Sequence, residues 1–184
     1  MMSAPNLNEA SKMFSEMVID TTKKSEIESQ VNLILKGKDR YEKIAQKVNP
    51  KIPWYAIGVA HCMEAGCDFT KHIHCGDSLK ARTINEPKGR PEKGNPPFTW
   101  EESCEDWLIM KGWHKWQDWG IADILCRLEL NNGTGYRKYN IPTPYLWSYT
   151  NFYQKGKFVS DGKFDPNAVS KQVGAAILLK KLNS

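Results

Sequence analysis

The 184-residue chain predicts a mainly α-helical (α+β) domain with one small β-hairpin in its middle. Three observations predict it. Apolar residues recur at helical spacing through most of the chain. Residues that start and stop helices bracket those segments. One stretch, Asp68 to Pro97, departs from the pattern. It opens with polar and β-branched residues around a Gly76-Asp77 turn, then becomes the Pro- and Gly-rich loop EPKGRPEKGNPP.

Leu7, Ala10, Met13, Phe14, Met17 and Val18 follow the first helical repeat, and Ile27, Val31 and Ile34 the second, which Gly37 stops. Asp39 is placed to cap a short helix from Arg40 to Val48, ending before Pro50. Pro53 then opens a helix over Trp54 to Ala65. That helix is apolar on nearly every side and reads as a buried central helix. After the hairpin and its loop, Thr99 and Glu102 form a T-x-x-E capping box for a helix from Trp100 to Lys111, with Gly112 beyond it. Ile121, Ile124, Leu125 and Leu128 mark the next helix, and Gly133 lies past its end. Residues 134 to 166 read as aromatic-rich loop. Asp165-Pro166 reads as the cap of a last helix in which Val169, Val173, Ala176 and Ile177 face inward.

No internal repeat or low-complexity segment occurs. The expected organisation is one domain over 1–184, with N-terminal helices in 1–50 and the core in 51–184. The loop at 85–97 is the one stretch with a linker's composition, but the helices beside it are too short to fold separately.

Composition narrows the function classes. Apolar residues make up 40% and charged residues 26%, ordinary for a globular protein. No apolar run is long enough to span a membrane, so no stable membrane insertion is expected. Met1 to Glu16 contains no apolar h-region. No signal peptide is read there, and synthesis in the cytoplasm is expected. The net charge of +5 mildly favours anionic partners. The Lys and Arg residues are scattered, which speaks against the basic stripe of a nucleic-acid binder. The five cysteines are odd in number and irregular in spacing, so reduced thiols are expected rather than a disulfide framework. Seven Trp and seven Tyr exceed what a small core needs, and some are expected to line a groove.

Glu64 is the outlier of the central helix. Ile57, Ala60 and His61 precede it by seven, four and three residues and share its face. Partial desolvation and the negative end of the helix dipole would both raise its pKa. A carboxyl still protonated near neutrality is what a general acid requires. The alternative reading is a helix-end Glu pointing into solvent.

Asp77 follows thirteen residues later, at the tip of the expected hairpin, and Thr83 six residues after that. A helix-end Glu facing a hairpin-borne Asp supplies the two carboxyl groups of glycoside hydrolysis. Asp77 would then direct a water or stabilise oxocarbenium-like charge, and Thr83 would orient that water. Gly-Asp is also ordinary turn chemistry.

His72 and His74 fall on one face of the hairpin, where they either face solvent or hydrogen-bond a substrate. A zinc site is disfavoured, because the cysteine spacings match no closed pattern and no H-E-x-x-H occurs. No metal or cofactor is expected. A second cluster comes late: Asn132, Gly133, Tyr136 and Arg137, then Tyr145 and Trp147. Its glycines permit close backbone approach, its Asn and Tyr offer hydrogen bonds, and its aromatics offer stacking for a sugar. Equally, it reads as a helix stop with core aromatics. The Gly-Thr-Gly follows a helix and lacks a third glycine, so it is not a dinucleotide loop.

Several separated stretches together carry a resemblance. They are IPWYAIGVAHCMEAGCDFTKHIHCGDSL, ARTINEPKGRP, GNPPFTWEES and NNGTGYRKY followed by PYLW. Over roughly 40–182 the chain resembles a bacterial and phage group of lysozyme-like proteins. These carry a helix ending in H-x-x-E, an H-x-H-x-G-D hairpin and a late N-G-x-G-Y-R…P-Y-L-W element. The resemblance implies a lysozyme-like fold and a glycosidase cutting the β-1,4 bond between N-acetylmuramic acid and N-acetylglucosamine. It implies Glu64 as the acid, with Asp77 and Thr83 in the places of the hairpin Asp and Thr of phage-type lysozymes. The Glu-to-Asp gap of thirteen is longer here than in those lysozymes. It also implies that the Asn132–Tyr136 turn borders the substrate groove.

The expectation is thus a muramidase that degrades bacterial cell wall, with peptidoglycan as its partner. It would act on the wall or in the periplasm after release as a phage endolysin, or be carried by a virion or injection machine. A lytic transglycosylase needs Glu64 alone. A non-catalytic wall-binding or virion structural module is the expectation from outside the enzymes.

Overall fold

A computed structural model describes residues 5–160 and 162–183. The fold is mainly helical with a small antiparallel strand pair, the predicted class. The helices are α1 (Leu7–Glu16), α2 (Lys24–Lys36), α3 (Lys38–Val48), α4 (Trp54–Ala65), α5 (Trp100–Met110), α6 (Ile121–Asn132), α7 (Pro144–Trp147) and α8 (Ala175–Leu182). Among the described residues no helix is long and apolar enough to cross a membrane. The chain forms two compact units, one of residues 32–119 and one of 1–31 with 120–184. The boundaries fall inside α2 and at Gly120.

In the 32–119 unit, α3 packs on α4 and α5. The α4 helix is buried on almost every side, as its near-continuous apolar sequence requires. Gly58 makes its packing possible: a Cβ there would lie 2.6 Å from Ile34 Cγ2 and 3.1 Å from Tyr41 Cε2. The start of α5 is closed by the expected capping box, Thr99 with Glu102. Arg40 ties α3 to α5 through a two-point bond with Glu101, at 2.6 and 2.9 Å. The segment at 85–97 belongs inside this unit and is not a linker.

In the other unit, α1 packs on α6, and α6 on α7 and α8. Asn6 caps α1 by accepting the Glu9 N–H at 2.8 Å. Strands β1 (Lys157–Ser160) and β2 (Lys163–Asp165) pair antiparallel, with Phe158 opposite Phe164.

Three local expectations are corrected. The regular strand pair lies at 157–165, inside the stretch read as loop, where Tyr139 stacks on Phe164 at 3.9 Å and Tyr136 meets Phe158 edge-on. These tertiary aromatic contacts stabilise strands too short to show a period of two. The turn at 71–78 is instead joined by the single bridge Lys71–Ser78, with the His72 N–H donating to the Asp77 carbonyl at 2.7 Å. The last helix begins at Ala175 rather than at Asp165. Asp165 ends β2 and accepts the Asn167 N–H in a local turn, and Val169 is exposed. Finally, α3 begins at Lys38, so Asp39 sits in its first turn rather than capping it.

Candidate active site

The α4 helix determines where Glu64 sits. Its last turn ends at Gly66, whose left-handed backbone (φ 61°) lets its N–H reach back to the Cys62 and His61 carbonyls. Glu64 is half-buried, while its neighbours His61, Cys62, Met63 and Ala65 are buried. The 75–77 turn folds against this end of the helix. A Cβ on Gly76 would lie 3.8 Å from the Glu64 carbonyl oxygen. The Cys75 thiol there is pushed up, first by burial and in part by the nearby charges of Asp77 and Glu64.

Asp77 is committed to the chain around it. Its Oδ2 accepts the N–H groups of Ile84 and Asn85 at 2.8 and 2.9 Å, and its Oδ1 accepts the Asn85 side-chain amide at 2.6 Å. The Asn85 and Ile84 N–H groups stabilise the charged form and hold its carboxyl down at about 2. A carboxylate this weakly basic, with three donors already in place, is a poor acceptor for a water's proton. Thr83 is 3% exposed. Its hydroxyl donates to the Pro87 carbonyl and accepts the Arg90 N–H at 2.9 Å, which leaves no proton for directing a water. Both residues shape the 77–90 loop.

The histidines are interior. His72 is fully buried, with Nε2 2.9 Å from the Ala81 carbonyl and Nδ1 2.9 Å from Ser103 Oγ. A carbonyl only accepts, so Nε2 carries the proton and Ser103 donates to Nδ1. His74 donates from Nε2 to Asp106 at 2.9 Å, and its Nδ1 faces Ser103 Oγ at 3.3 Å. Burial pushes His74 down to about 4, so it is neutral near pH 7 and Ser103's one proton cannot serve both rings. The longer contact is the one left without a proton. Asp106, His74 and Ser103 follow one another as in a serine-hydrolase triad, but Ser103 gives its proton to His72 rather than to His74 and is fully buried, so it is no nucleophile. Neither His72 nor His74 is placed to bind a substrate, which corrects the expectation for both.

His61, behind Glu64, is also fixed. The Trp100 indole donates to Nε2 at 3.0 Å, so Nδ1 carries the proton and donates to the Tyr41 hydroxyl at 2.9 Å. The Asp68 carbonyl at 3.3 Å from Nε2 then faces a lone pair rather than a proton. Burial holds His61 down at about 4.

In the other unit, Asn132, Gly133, Tyr136 and Tyr145 line one cavity of about 510 Å³, with Lys157 and Gln172 among the remaining wall residues. Asn132 ends α6 and donates weakly to Thr143 Oγ1 at 3.4 Å. The Tyr136 hydroxyl accepts the Phe158 N–H at 3.1 Å, which fixes the ring as a wall of the cavity. Arg137 and Trp147 do not join them. Arg137 is buried between Glu129, at 2.6 and 2.7 Å, and Glu9, at 2.9 Å. These carboxylates, Glu129 foremost, hold its guanidinium above its ordinary pKa. Trp147 is 3% exposed and packs edge-on against Phe152, so it offers no face to a sugar.

Several organising residues carried no mark in the sequence. Asp106 receives His74, the Glu92 N–H at 3.1 Å and Arg90 at 3.4 Å, and so pins the middle of the Pro/Gly-rich loop to α5. Asn85 and Ser103 belong with it. The signal that could have found Asp106 and Ser103 is their i, i+3 spacing on one face of the capped helix. Asn85 offers none. Among the described residues no group of three or more His, Cys, Asp or Glu gathers as metal ligands. Comparison with known proteins returns no matching family model, no matching curated relative and no matching solved structure.

Proposed function

We propose that this protein cleaves the glycan strands of peptidoglycan between N-acetylmuramic acid and N-acetylglucosamine, with Glu64 as general acid. One observation carries the reading. Glu64 alone keeps partial exposure near the end of a helix whose other last-turn side chains are buried. An acid held against an apolar helix can protonate a departing glycosidic oxygen. Taken by itself, the cavity of the other unit, walled by Asn132, Tyr136 and Tyr145, offers amide, hydroxyl and aromatic groups of the kind that hold an N-acetylated sugar.

The commitment of Asp77 and Thr83 to the loop favours a route with one carboxyl group over a hydrolase with a water-directing pair. In such a route the sugar's own hydroxyl displaces the leaving group after Glu64 protonates it, as in a lytic transglycosylase. Muramidase hydrolysis is the second reading, with water entering without help from Asp77. In either case the protein acts on the cell wall, as an endolysin or as part of a virion or injection machine.

Mass analysis of muropeptides released from purified peptidoglycan tests this. Wild type is expected to release fragments, and Glu64→Gln to release them roughly a hundredfold more slowly or worse. Ends of 1,6-anhydro type identify the transglycosylase, and reducing ends the muramidase. A wild type that binds peptidoglycan and releases nothing overturns the enzyme in favour of a wall-binding module.

A further inference from the structure

The turn that carries Glu64 is flanked by two thiols that the proposed cleavage does not use. Cys62 lies two residues before Glu64 and Cys67 three residues after it. They belong to the same closing turn. Gly66 donates to the Cys62 carbonyl at 3.0 Å and Cys67 donates to the His61 carbonyl at 3.3 Å, folding the chain back over the helix end. This return places the Cys62 thiol in hydrogen-bond contact with the Cys67 sulfur. Cys67 holds a left-handed backbone (φ 59°) although it is not glycine, a conformation disfavoured for a residue with a side chain. The rest of the turn therefore imposes it. Both residues are buried, Cys62 at 5% and Cys67 at 8% exposure. None of the five cysteines is in a disulfide.

We propose that Cys62 and Cys67 are a redox-active dithiol, closed to a disulfide by small-molecule disulfides such as oxidised glutathione, and that closure moves the helix turn carrying Glu64. The first step falls to Cys67. Donation from Cys62, and then from the Tyr41 hydroxyl, stabilises its thiolate, whereas Cys62, as the buried donor, is pushed up. The Cys67 thiolate attacks one sulfur of oxidised glutathione, forming a mixed disulfide and releasing one glutathione thiolate. Cys62 gives its proton to solvent base, attacks the Cys67 sulfur and releases the second glutathione. Two protein thiols lose two electrons, and one glutathione disulfide becomes two thiols. A disulfide bond is about 2.0 Å long, so closure draws the sulfurs in from hydrogen-bond separation by roughly 1 Å or more. The shift falls on the turn between them, which contains Glu64. The effect on activity rests on the cleavage reading above. The disulfide itself does not.

Peptide mapping of the whole protein tests the bond directly. Cleavage after Lys51 and Lys71 gives a tryptic peptide, residues 52–71, that contains Cys62 and Cys67 and no other cysteine. After native treatment with oxidised glutathione and alkylation in denaturant, this peptide is expected to carry no alkyl group. It should be about 2 Da lighter than its reduced form and recover with dithiothreitol. Cys67→Ser should abolish the loss and Cys75→Ser should leave it. Two alkyl groups on that peptide, a persistent glutathione adduct, or a link to Cys75 or Cys104 overturns the proposal. In the activity arm, oxidation is expected to slow muropeptide release about fivefold or more in wild type and not in Cys67→Ser. An oxidised wild type with the mapped bond and unchanged release overturns the switch. If the reduced protein releases no muropeptides, the cleavage reading falls, and the mapped bond still decides the dithiol.

Discussion

Asn85 gives both its backbone N–H and its side-chain amide to the carboxylate of Asp77, at 2.9 and 2.6 Å. With the Ile84 N–H on the same carboxylate, this clamp makes Asp77 the organiser of the loop that follows the 71–78 turn. Further along the loop, Asp106 does the same work for Glu92 and Arg90. A segment rich in proline and glycine is thereby held by the side chains of Asp77, Thr83 and Asp106 together with the backbone pairs of Thr83 with Arg90 and Gly89.

The clamp separates two roles for Asp77. In Asp77→Ala the Ile84 and Asn85 amides are expected to lose protection from hydrogen exchange, and glycan cleavage to weaken severalfold, mainly through KM. A loss of kcat by a hundredfold or more with both amides still protected would instead make Asp77 a water-directing base.

Arg137 is predicted to matter for folding rather than for sugar binding. Removing it leaves Glu129 buried without its charge partner, so Arg137→Met is expected to lower urea stability by about 3–5 kcal/mol. Changing Glu129 to Met as well should recover part of that. A single variant as stable as wild type, with weakened saccharide binding, would return Arg137 to the sugar site.

Acid should destabilise the protein through His61 and His74, both held near 4 by burial against an ordinary value near 6.5. Their folded-state values are depressed, so the unfolded chain takes up protons first. The stabilisation is complete above about pH 6.5 and is lost as pH falls towards 4, by about 3 kcal/mol for each histidine at most. Urea midpoints at pH 7 and pH 4.5 check this, and an unchanged midpoint would contradict it. In His61→Gln the fall between the two should be smaller.

Helices with caps and a clear apolar period were legible. The α4 helix follows Pro53, and the Thr99–Glu102 box opens α5 as expected, because these signals act within one turn of the chain. The strands at 157–165 were not, since aromatic contacts from residues 136 and 139 hold them. Within the candidate site, the helix-end position of Glu64 was readable from periodicity. The burial of His72, His74, Arg137 and Trp147 was not, because polar and amphipathic side chains go inside only where a partner meets them. Those partners, Ser103, Asp106, Glu129 and Phe152, come from other elements of the chain.

The amino-acid sequence by itself determined that the chain is mainly helical, that α4 is buried, and that one carboxyl group stands at that helix's end. Local spacing and capping suffice for each of these. Only the tertiary structure decided what the other polar residues do. It placed Asp77 and Thr83 in the service of a loop, the histidines in hydrogen-bonded interiors, and Asn132, Tyr136 and Tyr145 around one cavity. A hydrogen bond depends on direction and distance across the fold, and residue type and spacing carry neither.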